Sequence, residues 1–287
     1  MPELPEAETI VRGLRPEVVG ETVRRVEVVH EDVLRQPRRA FADRVRHTAL
    51  DAVERRGKNV VLVLDSGDRL VVNLGMTGRL LPFPAPPVAS RRPTHPAVRL
   101  RFEDGGVLVY DDMRRFGALE VLDAEAWSER DEALGPEPLS DDFTPQILAR
   151  GLAASRSPLR SWLLDQRRLA GVGNIYASEA AWAAGVHPRQ PAREIPAPAV
   201  KRLHGAIRRI LAQAIEGGGT TIRDYRNARG EAGEFGGRLA VYGREGEPCR
   251  SCGTTVERIV FSNRSAFLCP ACQPLRNPRR RSKGGRS

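Results

Sequence analysis

The first apolar positions of the chain recur at intervals of three and four: Ala7, Ile10, Val11 and Leu14. That spacing places them on one face of a helix over 6–14. Pro5 is tolerated in a first turn, and Pro16 and Gly20 are expected to end the run. The period then drops towards two. TVRRVEVVH, ALDAVERR, NVVLVLD and RLVVNLG are β-rich runs broken by turn signals such as GKN and SGD. A proline-rich connector, PFPAPPVASRRPTHP, leads to two more strand patterns, AVRLRFE and GVLVYDD. These runs predict a mostly antiparallel β domain with a leading helix, a two-layer sandwich, over 1–133.

LGPEPLSDDF reads as a linker, 134–144. Helical spacing returns in ILARGLAAS, LRSWLLDQRRLAG, NIYASEAAWAAG and AVKRLHGAIRRILAQAI, which define a helical domain over 145–235. A short hairpin pattern occupies 236–275. The last stretch, RNPRRRSKGGRS, is basic and poor in apolar residues, so 276–287 is expected to be a disordered tail. The fold class is α+β, in several domains.

Charge narrows the range of partners. The 287 residues carry a formal net charge of +10, which points to a polyanion, nucleic acid first; an arginine-rich solvated surface is the alternative. No stretch approaches about 18 consecutive apolar residues, and no basic-then-apolar leader opens the chain, so a cytoplasmic protein is expected. Disulfides are rare in that compartment. All four cysteines lie near the C-terminus as C-x2-C-x16-C-x2-C: Cys249, Cys252, Cys269 and Cys272. This spacing suits a four-thiolate structural Zn2+ site; two disulfides or a redox pair are the alternatives. With four protein ligands no position stays open for chemistry, so the ion would fold the hairpin only.

The ordered set PELPE, RRGKNVVL, NLGMTGRL, YDDMRRFG, LGPEPLS, LLDQRRLAGVGNIYASE, GGTTIRDY, VYGREGEPC and FLCPACQ runs from residue 2 to residue 273. With these motifs the chain closely resembles the bacterial formamidopyrimidine-DNA glycosylases. The resemblance implies a catalytic β-sandwich, a helix–two-turn–helix domain and a zinc finger. It further implies excision of oxidised purines from double-stranded DNA, cleavage at the resulting abasic site, and a monomeric enzyme.

On that resemblance Pro2 is the nucleophile. An α-amino group titrates near ~8, so an appreciable fraction of a freed Pro2 amine is unprotonated at neutral pH. The resemblance makes Glu3 the proton donor and shuttle, with Glu6 in support one turn along, though an acidic first turn alone is ordinary dipole compensation. Lys58, at a hairpin tip, would contact the lesion's phosphate and sugar. Met76, Arg114 and Phe116 would fill the hole left by the flipped base, Asn174 would bind phosphate at a helix start, and Arg264 would grip the phosphates beside the lesion. Asn73 stands where the family often has His, and 222–235 matches the family's base-covering loop only loosely.

Other readings are an endonuclease VIII-like glycosylase for oxidised pyrimidines, a non-catalytic zinc-containing DNA-binding protein and an N-terminal-proline tautomerase. The first usually begins PEGPE, where this chain has Leu4. Intact Pro2, Glu3 and Lys58 speak against the second. The third class is short and lacks both the zinc pattern and the charge.

Overall fold

In the computed structural model, residues 2–85, 93–221, 231–261 and 264–276 are described. They divide into two compact units, Met1–Ser140 with Gln166–Gly173 and Leu211–Arg238, and Asp141–Asp165 with Asn174–Ile210 and Leu239–Ser287.

The first unit is built on two four-stranded antiparallel sheets. One has the order β1 (Val23–Val28), β6 (Pro96–Phe102), β7 (Val107–Asp111), β5 (Arg79–Phe83); the other runs β2 (Leu50–Arg56), β3 (Asn59–Leu64), β4 (Arg69–Asn73), β8 (Ala118–Leu122). Val98, Leu100, Leu108 and Tyr110 of the first sheet share one buried cluster with Val60, Leu62, Val72 and Leu119 of the second, so the sheets form the expected sandwich. Helix α1 (Leu4–Val18) buries Ile10, Val11, Leu14 and Val18 in the same cluster. It passes through Pro16, where the run was expected to stop. A proline in the last turn removes one N–H, and the Val19 N–H still closes on the Arg15 carbonyl at 3.2 Å. Strands β5 and β8 and helices α2 (Arg38–Val45) and α3 (Ala124–Glu132) add to the expected elements; α2 contributes only Phe41 and Val45 to burial, too few for a clear period.

The second unit contains α4 (Pro145–Ala153), α5 (Leu159–Leu164), α6 (Asn174–Ala184) and most of α7 (Ala197–Glu216), followed by the hairpin β9 (Glu257–Phe261) and β10 (Arg264–Leu268). The Thr144 hydroxyl caps α4 by accepting from the Ile147 N–H, with Pro145 in the first turn. Helix α5 stops at Leu164, short of the predicted LRSWLLDQRRLAG helix, because 166–173 continues as turns and bends and belongs to the first unit. The expected boundaries at 134–144 and 235 follow the order of segments along the chain, whereas the compact units are discontinuous. The Leu4 N–H donates to the Gly171 carbonyl at 2.9 Å, which ties 166–173 to the start of α1. At the C-terminus, Arg276 exchanges two hydrogen bonds with the Gln190 amide, so the expected tail begins with a held residue; 277–287 lie outside the described residues. No helix among the described residues is long and apolar enough to cross a membrane.

Candidate active site and nucleic-acid contacts

The start of α1 is enclosed by the rest of the first unit. Pro2 is buried, and Glu3 and Glu6 are only 2% and 1% exposed. Buried carboxyl groups need donors, and both find backbone N–H groups. Glu3 Oε2 accepts from the Gly173 N–H at 2.7 Å. Glu6 reaches back to the Glu3 N–H through Oε2 at 2.8 Å and accepts from the Thr220 N–H through Oε1 at 2.7 Å. The local sequence makes this possible. Glu3 precedes the first helical turn, and an acid three residues later is placed to cap backwards. The Glu3 carboxyl can occupy this position only over a glycine, because a Cβ on Gly173 would fall within 2.7 Å of its atoms. Thus 2–6, 171–173 and 220 form one small, rigid constellation in the first unit.

Lys58 belongs beside it. β2 and β3 are joined by the two-residue turn Gly57–Lys58, with Gly57 in the left-handed region at φ 58°. A Cβ on Gly57 would lie 3.6 Å from Ala170 and from the Gly171 nitrogen, so the turn packs on the stretch that holds Leu4. Lys58 is half-buried. Glu137 fixes the turn by accepting from the Gly57 N–H at 2.6 Å while pairing with Arg55 and Arg56. The Asn73 amide serves structure: it donates to Asn59 at 2.9 Å and accepts from the Gly75 N–H at 3.0 Å.

Two adjoining loops of the same unit carry the large exposed apolar side chains Met76 (39% exposed), Met113 (54%) and Phe116 (59%). Single exposed apolar residues need no explanation, but these sit on loops that touch. A Cβ on Gly75 would lie 2.5 Å from the Phe116 carbonyl carbon and the Gly117 nitrogen. The Arg114 guanidinium stacks on the Phe116 ring, 4.5 Å from its centroid. Arg115 adopts a left-handed φ of 52° at the turn.

In the second unit, Asn174 opens α6. Its Oδ1 accepts from Arg160 Nη2 at 2.7 Å, and its Nδ2 donates to the Ser265 carbonyl at 3.0 Å. Arg160 also donates to that carbonyl at 3.0 Å. Burial first, then the charge of neighbouring Arg264, hold the Arg160 guanidinium below its ordinary pKa. Two guanidinium groups and an amide at a helix start therefore gather here, with Arg264 exposed at the beginning of β10. The sequence reading missed Arg160.

Behind the hairpin, the Sγ atoms of Cys249, Cys252, Cys269 and Cys272 all lie within 4.8 Å of one another, and all four cysteines are free. Sulfur separations of 3.4, 3.5 and 3.9 Å suit a tetrahedral zinc ion, for which Zn–S bonds near ~2.3 Å imply about 3.8 Å. The Ser251 and Cys272 N–H groups donate to sulfur, each at 3.4 Å. The disulfide alternative falls. Glu179 of α6, which the sequence reading also missed, accepts from the N–H groups of Ala240, Val241 and Tyr242 and anchors the chain entering this module. Burial pushes its carboxyl up despite those three donors. Of the expected base-covering loop, 222–230 lie outside the described residues.

Known proteins match along nearly all of the chain. Three family models match: the formamidopyrimidine-DNA glycosylase N-terminal domain over 1–119, the formamidopyrimidine-DNA glycosylase H2TH domain over 134–226, and the zinc finger found in FPG and IleRS over 246–275. A formamidopyrimidine-DNA glycosylase of Chloroflexus aggregans is 44% identical over 278 residues, covering 96% of this chain and 99% of its own. The crystal structure of the MutM (FPG) protein from Thermus thermophilus superimposes with a TM-score of 0.86 at 41% identity, covering 96% of this chain and all of its own. Lactococcus lactis Fpg in complex with abasic-site DNA matches with a TM-score of 0.87 at 30% identity, over 95% of this chain and 99% of its own. The same protein has also been solved with Fapy-dG containing DNA. The chain belongs to the formamidopyrimidine-DNA glycosylase family.

Proposed function

We propose that the protein removes oxidised purines from double-stranded DNA and cleaves the resulting abasic site, with Pro2 as nucleophile. The observation that carries this reading is the constellation around Pro2: a buried N-terminal proline beside a carboxyl, Glu3, whose position is fixed by the Gly173 N–H. The Lactococcus lactis relative, solved with Fapy-dG and with abasic-site DNA, supports the substrate class.

Removal of Met1 leaves Pro2 a secondary amine. Its lone pair attacks C1′, the glycosidic bond breaks, and the base departs with the bonding pair and takes up a proton. Glu3 protonates the ring oxygen as the C1′–O4′ bond opens, giving an iminium between Pro2 and C1′. That cation acidifies the C2′ proton. Its loss expels the 3′ phosphate, a second elimination expels the 5′ phosphate, and water then releases Pro2. Glu6 holds the terminus in place. Lys58 steadies the lesion's phosphate and sugar. Met76 and Phe116 wedge apart the stack while Arg114 bonds the orphaned base.

Asn174 and Arg264 hold backbone phosphates. Zn2+ held by the four cysteines supplies rigidity to the hairpin that carries Arg264 and takes no part in bond-breaking. One chain acts on one duplex, in the compartment that holds the DNA.

The test is borohydride trapping on a duplex containing 8-oxoguanine opposite cytosine, beside a thymine-glycol duplex. A covalent adduct favouring 8-oxoguanine is expected. Preference for thymine glycol would move the enzyme to the endonuclease VIII-like class, and no adduct on either would make it a non-catalytic binder.

A further inference from the structure

Asp112 directly follows strand β7 and is 1% exposed. Its carboxylate receives four hydrogen bonds, none from a cation. Oδ1 accepts from the Thr77 hydroxyl at 2.5 Å and from the Arg114 N–H at 3.3 Å. Oδ2 accepts from the Tyr110 hydroxyl and from the Gly117 N–H, both at 3.0 Å. A buried carboxylate is stabilised by such donors, and removing one acceptor strands a buried N–H.

The donors come from both loops. Thr77 follows Met76 directly. Arg114 and Gly117 bracket the turn that presents Arg114 and Phe116. Arg114 N–H also donates to the Thr77 hydroxyl at 3.1 Å, so the two loops are joined through the same oxygen atoms. Tyr110 stays a proton donor, because burial and then the Asp112 charge drive its phenol far above its usual range. Gly117 is packed so closely on the Tyr110 hydroxyl and the Asn73 carbonyl that no Cβ fits there.

We infer that Asp112 is the positioning residue of the wedge: its carboxylate binds the Met76 loop and the Arg114–Phe116 loop into one rigid element, so the three side chains enter the duplex as a unit. This rests on the wedge assignment proposed above. The side chains themselves stay exposed, and only their backbones are fixed. A flexible pair of loops would have to be ordered on DNA at each encounter, and that entropy would add to the cost of base flipping.

The experiment uses the full chain and two substrates under single-turnover conditions: a duplex with 8-oxoguanine opposite cytosine, and a duplex with a pre-formed abasic site. Asp112→Asn keeps the shape but turns one acceptor oxygen into a donor, so the Arg114 or the Gly117 N–H loses its bond to residue 112. Excision of 8-oxoguanine should slow about tenfold, with abasic-site cleavage slowing far less. Thr77→Val cuts only the link to the Met76 loop and should give the same split, more weakly; it decides the matter if Asp112→Asn fails to fold. In the Asp112→Asn, Met76→Ala double variant the losses should be less than additive, since both act through one element.

Equal slowing on both substrates, no slowing, or full additivity would overturn the positioning role while leaving the wedge intact, provided Met76→Ala alone keeps its split. If Met76→Ala shows no split, the wedge reading fails and this inference falls with it.

Discussion

The first unit holds two kinds of candidate site. At the α1 terminus the side chains proposed for catalysis are themselves immobilised: Pro2, Glu3 and Glu6 are buried, and both carboxyl groups rest on backbone N–H donors. In the Met76 and Arg114–Phe116 loops the side chains stand in solvent and the framework beneath them is immobilised, by Asp112 and by glycines packed against neighbouring backbone. The difference fits the roles proposed above for each. Covalent chemistry is sensitive to displacement of about 1 Å, so the reacting groups are fixed before substrate arrives. A wedge must slip into a base stack whose shape it does not control, so its tips stay adjustable. Arg264 repeats the second arrangement in the other unit, exposed on a hairpin backed by four cysteines.

The largest effect that sharpens this contrast is at Pro2. Retaining Met1, or adding any residue before Pro2, turns the amine into an amide. Borohydride trapping should vanish on both 8-oxoguanine and abasic-site duplexes, while affinity for DNA stays nearly unchanged. Trapping at the normal rate by an N-terminally extended protein would remove Pro2 from the mechanism.

Next is Gly173→Ala. Its new methyl would collide with the Glu3 carboxyl, so the variant displaces the proposed proton donor without altering it. About a hundredfold loss of excision is expected, with Glu3→Gln giving a similar loss and DNA affinity preserved in both. Normal excision by Gly173→Ala would show that the Glu3 position tolerates movement, and the contrast between fixed and adjustable sites would break.

How much of this was legible beforehand depended on whether a role was local in sequence. The zinc module needs only two C-x2-C pairs and a hairpin between them, and both could be read directly. The sandwich followed from short β-rich runs separated by turn signals. Pro2 and Glu3 were reached through the resemblance, since a proline before a short acidic stretch has ordinary explanations. What stayed hidden was the set of partners brought from far along the chain. The Gly173 and Thr220 N–H groups serve Glu3 and Glu6 across 170 and 214 residues. Backbone donors carry no side-chain signature, and the glycine in GVGNIY looks like any turn glycine until its missing Cβ is seen against Glu3. Asp112 was visible within YDDMRRFG, yet an acid beside two arginines reads as surface charge. Helix α5 ended early for the same reason: 166–173 is claimed by a long-range contact with α1 that no local pattern announces.

The exposed contact in the second unit supplies a smaller effect. Cys252→Ser should release zinc, loosen the β9–β10 hairpin and weaken DNA binding. Arg264→Ala in an intact finger should weaken binding about tenfold or somewhat more, as expected for one charge-assisted phosphate contact, with zinc content and melting behaviour retained. Metal analysis and a salt-dependent binding titration read both. Zinc-free protein from a fresh preparation would overturn the metal assignment. Unchanged affinity in Arg264→Ala would leave the finger without its proposed contact.

Met76→Ala is the mildest change and divides the two kinds of site most directly. It removes an exposed apolar tip and touches none of the groups around Pro2. Base flipping costs a few kcal/mol, and losing the wedge should return about 1–3 kcal/mol of that cost to the barrier. Excision from an 8-oxoguanine:cytosine duplex should slow on the order of tenfold. A pre-formed abasic site has no damaged base to unstack, so cleavage there should change far less. Glu3→Gln should differ: its excision defect should persist on a lesion placed opposite a mismatched base, where flipping is easy, whereas the same mismatch should partly rescue Met76→Ala. If Met76→Ala instead slows both substrates equally, Met76 is part of the fixed centre, and the distinction between immobilised side chains and immobilised frameworks does not hold in this unit.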